Sequence, residues 1–206
     1  MEKVITNDKS ATFRNEEYDE CYHSTSGAME EAFEKFAKPC KLRDGMKVLD
    51  ICFGIGYNTL AALSLADVEI VGLENDEMIL KEIENIDVDE NLKQNYEKIK
   101  IAAKKLQYSD DKTKIKLMRG DARKTIKSIS QKFDAVFLDP FSPKKCPELW
   151  TAEFMKDIAK RMKKGAILAT YSCAGIVREN LKSAGFKVGD GPCIGRRSPS
   201  TIACLK

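Results

Sequence analysis

The stretch that most constrains this chain is Val48 to Leu65, VLDICFGIGYNTLAALSL, where an apolar run ends in an acid, crosses a glycine loop and resumes with helical spacing. The pattern predicts a strand, a tight turn and a helix. Gly54 and Gly56 can take backbone angles closed to other residues and let a ligand approach the main chain. The helix that follows points its unpaired N–H groups back at the loop, so the place suits a nucleotide-like ligand. A dinucleotide fits poorly, because G-x-G-x-x-G requires glycine where the chain has Thr59.

The rest of the chain alternates in the same way. Strands are expected at Lys47 to Cys52, Val68 to Leu73, Lys114 to Met118, Phe133 to Leu138, Ala166 to Tyr171, Phe186 to Val188 and Thr201 to Leu205. Helices are expected at about Tyr57 to Ala66, Asp76 to Glu84, Glu90 to Gln107, Arg123 to Ile129, Leu149 to Lys163 and Ala174 to Ala184. Ahead of them, Ala28, Ala32, Phe33 and Phe36 mark one face of a helix starting near Gly27, while residues 1 to 21 read as a polar arm with a short strand at most. The expected fold is α/β, a Rossmann-like, seven-stranded and mostly parallel sheet whose last strand is antiparallel, with helices on both faces. Its 206 residues suit one domain, with residues 1–45 forming an arm and helix over the ligand site and 46–206 the core.

Composition narrows the function. No run approaches the roughly 20 apolar residues of a membrane helix, and the N-terminus lacks a signal-peptide core, so a cytoplasmic protein is expected. Seven scattered cysteines without a C-x-x-C pair indicate reduced thiols and no metal. Charge is uneven: residues 141 to 206 hold 13 Lys and Arg against 5 Asp and Glu, within a chain of net charge +3. Polyanion binding and a solvated lysine-rich surface both account for that bias.

Acids fall where the strands end. Glu74 follows Gly56 by 18 residues and can take both hydroxyls of a ribose. Asp121 and the N–H of Ala122 stand where an adenine edge could be read, but Asp121 is equally suited to cap the next helix, and one side chain does not easily do both. Asp139, followed by Pro140 and Phe141, lies at the carboxyl end of a fully apolar strand, where ligands of open α/β sheets bind. His23, the only histidine, reads as a hydrogen-bonding loop residue beside a helix start.

Asp50-x-x-x-Gly54-x-Gly56 resembles the cofactor loop of class I S-adenosylmethionine-dependent methyltransferases, with Cys52 where that family usually has glycine. FLDPFSPKKCPELWT further resembles the D-x-F-x-P-x-x-N-P-x-x-W signature of the MnmC family, through Asp139, Phe141, Pro143, Pro147 and Trp150, with Cys146 in place of asparagine. YHSTSGAMEEA is similar to a segment near that family's N-terminus through Tyr22, Ser24, Gly27 and Glu31.

The resemblance implies an S-adenosylmethionine-dependent enzyme that methylates the aminomethyl group on the wobble uridine of tRNA, acting on the anticodon region. It implies cofactor contacts from Tyr22, Ser24, Asp50, Phe53, Gly54, Gly56, Asn58, Glu74, Asp121, Ala122 and Asp139, with Asp139 and Phe141 catalytic. Lys144, Lys145, Arg196 and Arg197 are the candidates for RNA phosphates. The bifunctional members carry an added flavin-dependent oxidoreductase domain; a chain ending at Lys206 has no room for it, so a methyltransferase standing alone is expected. Two competing readings are an aminopropyltransferase of the spermidine-synthase-like class, which would need an acid-lined polyamine pocket, and a non-catalytic RNA-binding module.

Overall fold

The structure is a computed structural model and describes residues 1–195 and 197–205. Eleven strands and seven α-helices are seen among those residues. Strands β1 (Glu2–Ile5), β2 (Ala11–Asn15) and β3 (Glu20–Cys21) form a small antiparallel sheet in the order β1-β2-β3. Helix α1 (Ala28–Glu31) runs on through a π-helical turn, Ala32–Ala37. The remaining strands are β4 (Lys47–Ile51), β5 (Glu69–Glu74), β6 (Gln107–Ser109), β7 (Lys114–Arg119), β8 (Phe133–Leu138), β9 (Met162–Thr170), β10 (Phe186–Asp190) and β11 (Thr201–Leu205). The helices are α2 (Tyr57–Leu65), α3 (Glu77–Glu82), α4 (Glu90–Lys105), α5 (Ala122–Thr125), α6 (Ala152–Lys160) and α7 (Gly175–Ser183).

The large sheet has the order β10-β11-β9-β8-β4-β5-β7-β6. Its centre, from β9 to β7, is parallel, and β11 runs antiparallel to both neighbours. The expected seven strands are present, and an eighth joins them. Gln107–Ser109, whose first residue alone was expected to end a helix, pairs antiparallel with β7. The turn that returns it is held by Asp110, whose Oδ1 accepts the N–H groups of Lys112 and Thr113. The polar arm is likewise three strands rather than one. Its apolar residues Ala11 and Phe13 are buried on the main core, and that burial holds strands too short to persist alone.

Two apolar layers sandwich the large sheet. Leu60, Tyr96, Ile99 and Phe36, from α2, α4 and the π-helical turn, fill one side, and Ile126, Phe154, Ile158, Val177 and Leu181 fill the other. Because β4 leads to β5 on one side and borders β8 on the other, the strand order reverses between β4 and β8. The crevice at their carboxyl ends is where open α/β sheets bind ligands. No helix among the described residues is long and apolar enough to cross a membrane, and no cluster of His, Cys, Asp and Glu among them could hold a metal.

Candidate active site

A cavity of about 480 Å³ opens at that crevice, a size typical of small-molecule sites. Its floor is the loop after β4, in which Cys52, Gly54 and Gly56 all take positive φ, at 65°, 55° and 82°. A side chain at Gly56 would meet Ile99 and Phe53 at 2.8 and 3.0 Å, so packing as well as φ demands glycine there. Cys52 adopts the same left-handed region with a Cβ, and its side chain lines the cavity.

The loop is held by Glu74. Its Oε2 accepts the N–H of Gly54 at 2.8 Å, and its Oε1 accepts those of Asn75 and Asp76 at 2.8 and 2.7 Å. Three of a carboxylate's roughly four acceptor positions are thus taken by backbone. Burial nonetheless raises its pKa above the ordinary range. One further strand along, Asp121 caps α5 by accepting the N–H of Arg123 and also holds the Arg123 guanidinium, and that contact lowers its pKa. Of the two roles open to Asp121 in sequence, the cap is the one its carboxylate fills here.

Asp139 directly follows β8, and its backbone N–H bonds to Ile51 O at 3.1 Å. Asn58, in the first turn of α2, donates from Nδ2 to Asp139 Oδ2 at 2.8 Å, and Oδ1 has no partner among the described residues. Burial, and next the neighbouring charge of Glu31, push the Asp139 pKa well above the usual carboxylate range. Glu31 itself is in a buried ion pair with Lys35 at 2.6 Å. Asp50 is fully buried beneath the loop. Thr59 Oγ1 donates to its Oδ2, its Oδ1 has no partner among the described residues, and burial raises its pKa to about 8.

The N-terminal sheet roofs the cavity. On one side Tyr22 donates from its hydroxyl to Asp76 Oδ2, and Asn15 Nδ2 donates to the Tyr22 hydroxyl at 2.9 Å. On the other side Glu20 Oε2 accepts the N–H of Ser142 at 2.8 Å. This roof brings in Asn15, Glu17 and Tyr18, none of which was singled out in sequence. It also buries His23, whose Nδ1 sits 3.4 Å from Thr12 Oγ1 and whose pKa falls to about 4 through desolvation. His23 is therefore a neutral, hydrogen-bonded residue that also lines the cavity.

Of the sequence candidates, Tyr22, Gly54, Glu74, Asp121, Ala122, Asp139 and Phe141 meet at the cavity wall. Asn58 reaches it through Asp139. Ser24 instead bonds Ser26 through its hydroxyl and Glu31 through its N–H. Phe53 and Gly56 face the core: Phe53 is 1% exposed, and a Cβ at Gly56 would meet Ile99 and Phe53 itself. Lys144, Lys145 and Arg197 are exposed, and Lys145 stands 3.7 Å from Asp19 of the roof. Arg196 lies outside the described residues.

The cavity's charge runs opposite to that of the C-terminal surface. Among the described residues it is lined by seven carboxylates (Glu17, Glu74, Asp76, Glu77, Asp121, Asp139 and Glu148) and one cationic side chain, Arg123. Such a field attracts cationic ligands and repels phosphate.

Comparison with known proteins agrees with this architecture. Residues 84–206 match the family described as S-adenosyl-L-methionine-dependent methyltransferase. The crystal structure of MNMC2 from Aquifex aeolicus superposes with a TM-score of 0.89 at 36% identity, covering 100% of this chain and 70% of that one. An uncharacterized protein of Methanocaldococcus jannaschii is 36% identical over 207 residues. The tRNA 5-methylaminomethyl-2-thiouridine biosynthesis bifunctional protein MnmC of Ralstonia nicotianae is 31% identical over 210 residues. The matched region spans 58% of the first of these relatives and 32% of the second.

Proposed function

This chain belongs to the S-adenosyl-L-methionine-dependent methyltransferases of the MnmC type, and from that premise we propose that it methylates the aminomethyl group on the wobble uridine of tRNA. The observation that carries the reading is Asp139, a carboxylate with one oxygen unpartnered among the described residues, set in an acidic cavity that the aromatic residue Phe141 also lines. The relative from Ralstonia nicotianae is named for tRNA 5-methylaminomethyl-2-thiouridine biosynthesis, and the site here has the charge that a primary amine requires.

The residues present fit the cofactor. A cationic ligand bearing an amino group suits seven carboxylates, and the positive φ of Gly54 exposes main chain at the cavity floor. Beneath that floor the Oδ1 atoms of Asp50 and Asn58 are buried acceptors without donors among the described residues. Gly54, Tyr22, Glu74, Asp76 and Ala122 would hold the cofactor, which when bound supplies an electrophilic methyl group on a sulfonium centre.

Asp139 accepts a hydrogen bond from the substrate amine and directs its lone pair, and it stabilises the positive charge that grows on nitrogen as the N–C bond forms. The amine must be neutral to react, and its reference pKa is that of a lysine, about 10.4. The raised pKa of Asp139 suits it to take up the proton the amine gives up. Asn58 fixes the Asp139 carboxylate from behind. Lys144 and Lys145 lie in the turn between Phe141 and Cys146, both cavity residues, and would meet phosphates flanking the base.

The test is nucleoside mass spectrometry of aminomethyluridine-containing tRNA incubated with the protein and S-adenosyl-L-methionine. One added methyl group on that nucleoside is expected, and its absence with folded protein sinks the reading. The acidic lining also favours a second reading, transfer of an aminopropyl group to a polyamine. Product formed from putrescine and the decarboxylated cofactor, with tRNA unmodified, would establish it instead.

A further inference from the structure

Three aromatic rings crowd the cavity wall beside Asp139, and they are not held alike. Phe141 stacks on Tyr18 with centroids 4.5 Å apart and planes at 19°, and it meets Tyr22 at 5.0 Å and 58°. The Phe141 main chain is braced from below: Trp150 Nε1 donates to Phe141 O at 2.8 Å, and the Tyr171 hydroxyl donates to Pro140 O at 2.9 Å. Tyr22 is fixed by its hydroxyl, which bonds both Asp76 and Asn15. The Tyr18 hydroxyl has no partner among the described residues. What holds Tyr18 is its backbone N–H, donated to Asn15 Oδ1 at 3.1 Å beside that of Glu17 at 2.9 Å. The turn is therefore anchored by hydrogen bonds, while the half-buried ring is held only by packing, on Phe141 and against the edge of the apolar cluster beneath it, with no hydrogen bond of its own among the described residues.

We propose that Tyr18 is the movable half of an aromatic clamp whose fixed half is Phe141, and that the planar base of the acceptor enters between them. This rests on the nucleic-acid reading given above. In the structure Tyr18 occupies the place of that base, flat on the Phe141 face. A base sandwiched between two rings needs about 3.5 Å on each side, so Tyr18 swings outward by about 3 Å about its own side-chain bonds and then covers the free face of the base. The anchored turn at Glu17 and Tyr18 need not move. The clamp also orders events: without a planar acceptor the rings close on one another beside Asp139, and the acceptor must part them to bring its amine to the carboxylate. Position 18 thereby contributes to acceptor binding without contributing to the chemistry, and sequence-tolerant stacking of this kind is how proteins hold unpaired bases.

The experiment compares Tyr18→Ala and Tyr18→Phe with the parent, using an anticodon stem-loop RNA carrying 5-aminomethyluridine, with steady-state and single-turnover methylation and calorimetry of S-adenosyl-L-methionine binding. Tyr18→Ala is expected to raise KM for the RNA at least about fivefold, with the saturated single-turnover rate within about twofold and cofactor affinity unchanged. Tyr18→Phe, which keeps the ring, is expected to restore the parental KM. An unchanged KM in Tyr18→Ala overturns the clamp, as does a lowered KM, which would make the ring a mere plug. A loss of single-turnover rate or cofactor affinity not rescued by phenylalanine also overturns it, since that marks a structural role. A parent protein inactive on this RNA defeats the substrate reading itself and the clamp with it, whereas an active parent with an indifferent alanine variant defeats the clamp alone.

Discussion

Replacing Glu74 by Gln tests what holds the cofactor loop. In the parent, one carboxylate satisfies three main-chain N–H groups, those of Gly54, Asn75 and Asp76, at a site only 7% exposed. Glutamine offers one carbonyl oxygen. If that oxygen stays with Asn75 and Asp76, the side-chain NH2 faces the N–H of Gly54, and a buried donor is left without a partner. Such a group costs about 1–3 kcal/mol. Part is offset because glutamine carries no charge to desolvate, and burial of that charge is the first cause of the raised Glu74 pKa. The lower end of the range is therefore expected, and in a chain of this size about 1 kcal/mol lowers Tm by about 2–4 °C. Alanine leaves all three donors unpaired and should cost more than glutamine. Thermal unfolding with and without S-adenosyl-L-methionine reads both consequences, because Gly54 is also a cavity residue: Tm falls in the order parent, glutamine, alanine, and the stabilisation by cofactor shrinks in the same order. A glutamine variant that unfolds with the parent and gains as much from cofactor would refute the reasoning.

Three other outcomes are expected. Asp139→Asn preserves an acceptor for Asn58 but loses the charge, so single-turnover methylation should fall by about 10²–10³ with cofactor affinity nearly retained; a parental rate would leave the carboxylate a structural role only. Asp50, with a folded pKa of about 8 against about 3.9 unfolded, holds in the native state a proton that the unfolded chain has released between those values. Parental stability therefore declines as pH rises from about 4 to about 8, and Asp50→Asn should flatten that decline in a pH series of unfolding curves; parallel curves would count against a protonated Asp50. Lys144→Ala/Lys145→Ala should weaken tRNA binding and reduce its salt slope by about one unit per lost phosphate contact, leaving cofactor affinity alone, and an unchanged slope would mean a merely solvated surface.

Legibility in the sequence followed the range of the interactions. Phe133–Leu138 and Thr201–Leu205 have the boundaries expected of them, since an apolar run between turn residues is a local pattern. The glycine loop was equally plain, and its place at the cavity floor follows from the parallel order of β4 and β5. Gln107–Ser109 was not legible as a strand, its first residue being read as the end of a helix, because three residues after a lysine-rich helical stripe carry no period of their own; β7 supplies their hydrogen bonds. Asp121 could be read two ways because both readings are local, and only the position of Arg123 separates them. The roof was not legible at all. Asn15 and Tyr18 reach the cavity through contacts with residues more than fifty positions away, Asp76 and Phe141, Glu17 lines it beside them, and no spacing announces any of the three.

The same limit explains the charge. The sequence showed an uneven charge with a basic C-terminal third but not where the acids gather, and the residues that fold together at the sheet edge are acids drawn from five separate stretches between Glu17 and Glu148. The exposed Lys144 and Lys145 sit on the turn that joins two cavity residues, so a positive rim borders a negative interior. Under the proposed function that contrast sorts the parts of one substrate. Phosphates are favoured outside and repelled inside, while the aminomethyl group, cationic in water, is drawn inward to Asp139, where it must give up its proton to react. On the same proposal a neutral or anionic group at that position of the base would gain nothing from the interior field, which would place the discrimination among wobble uridines in the carboxylates of the cavity and the affinity for RNA in the lysines of its rim.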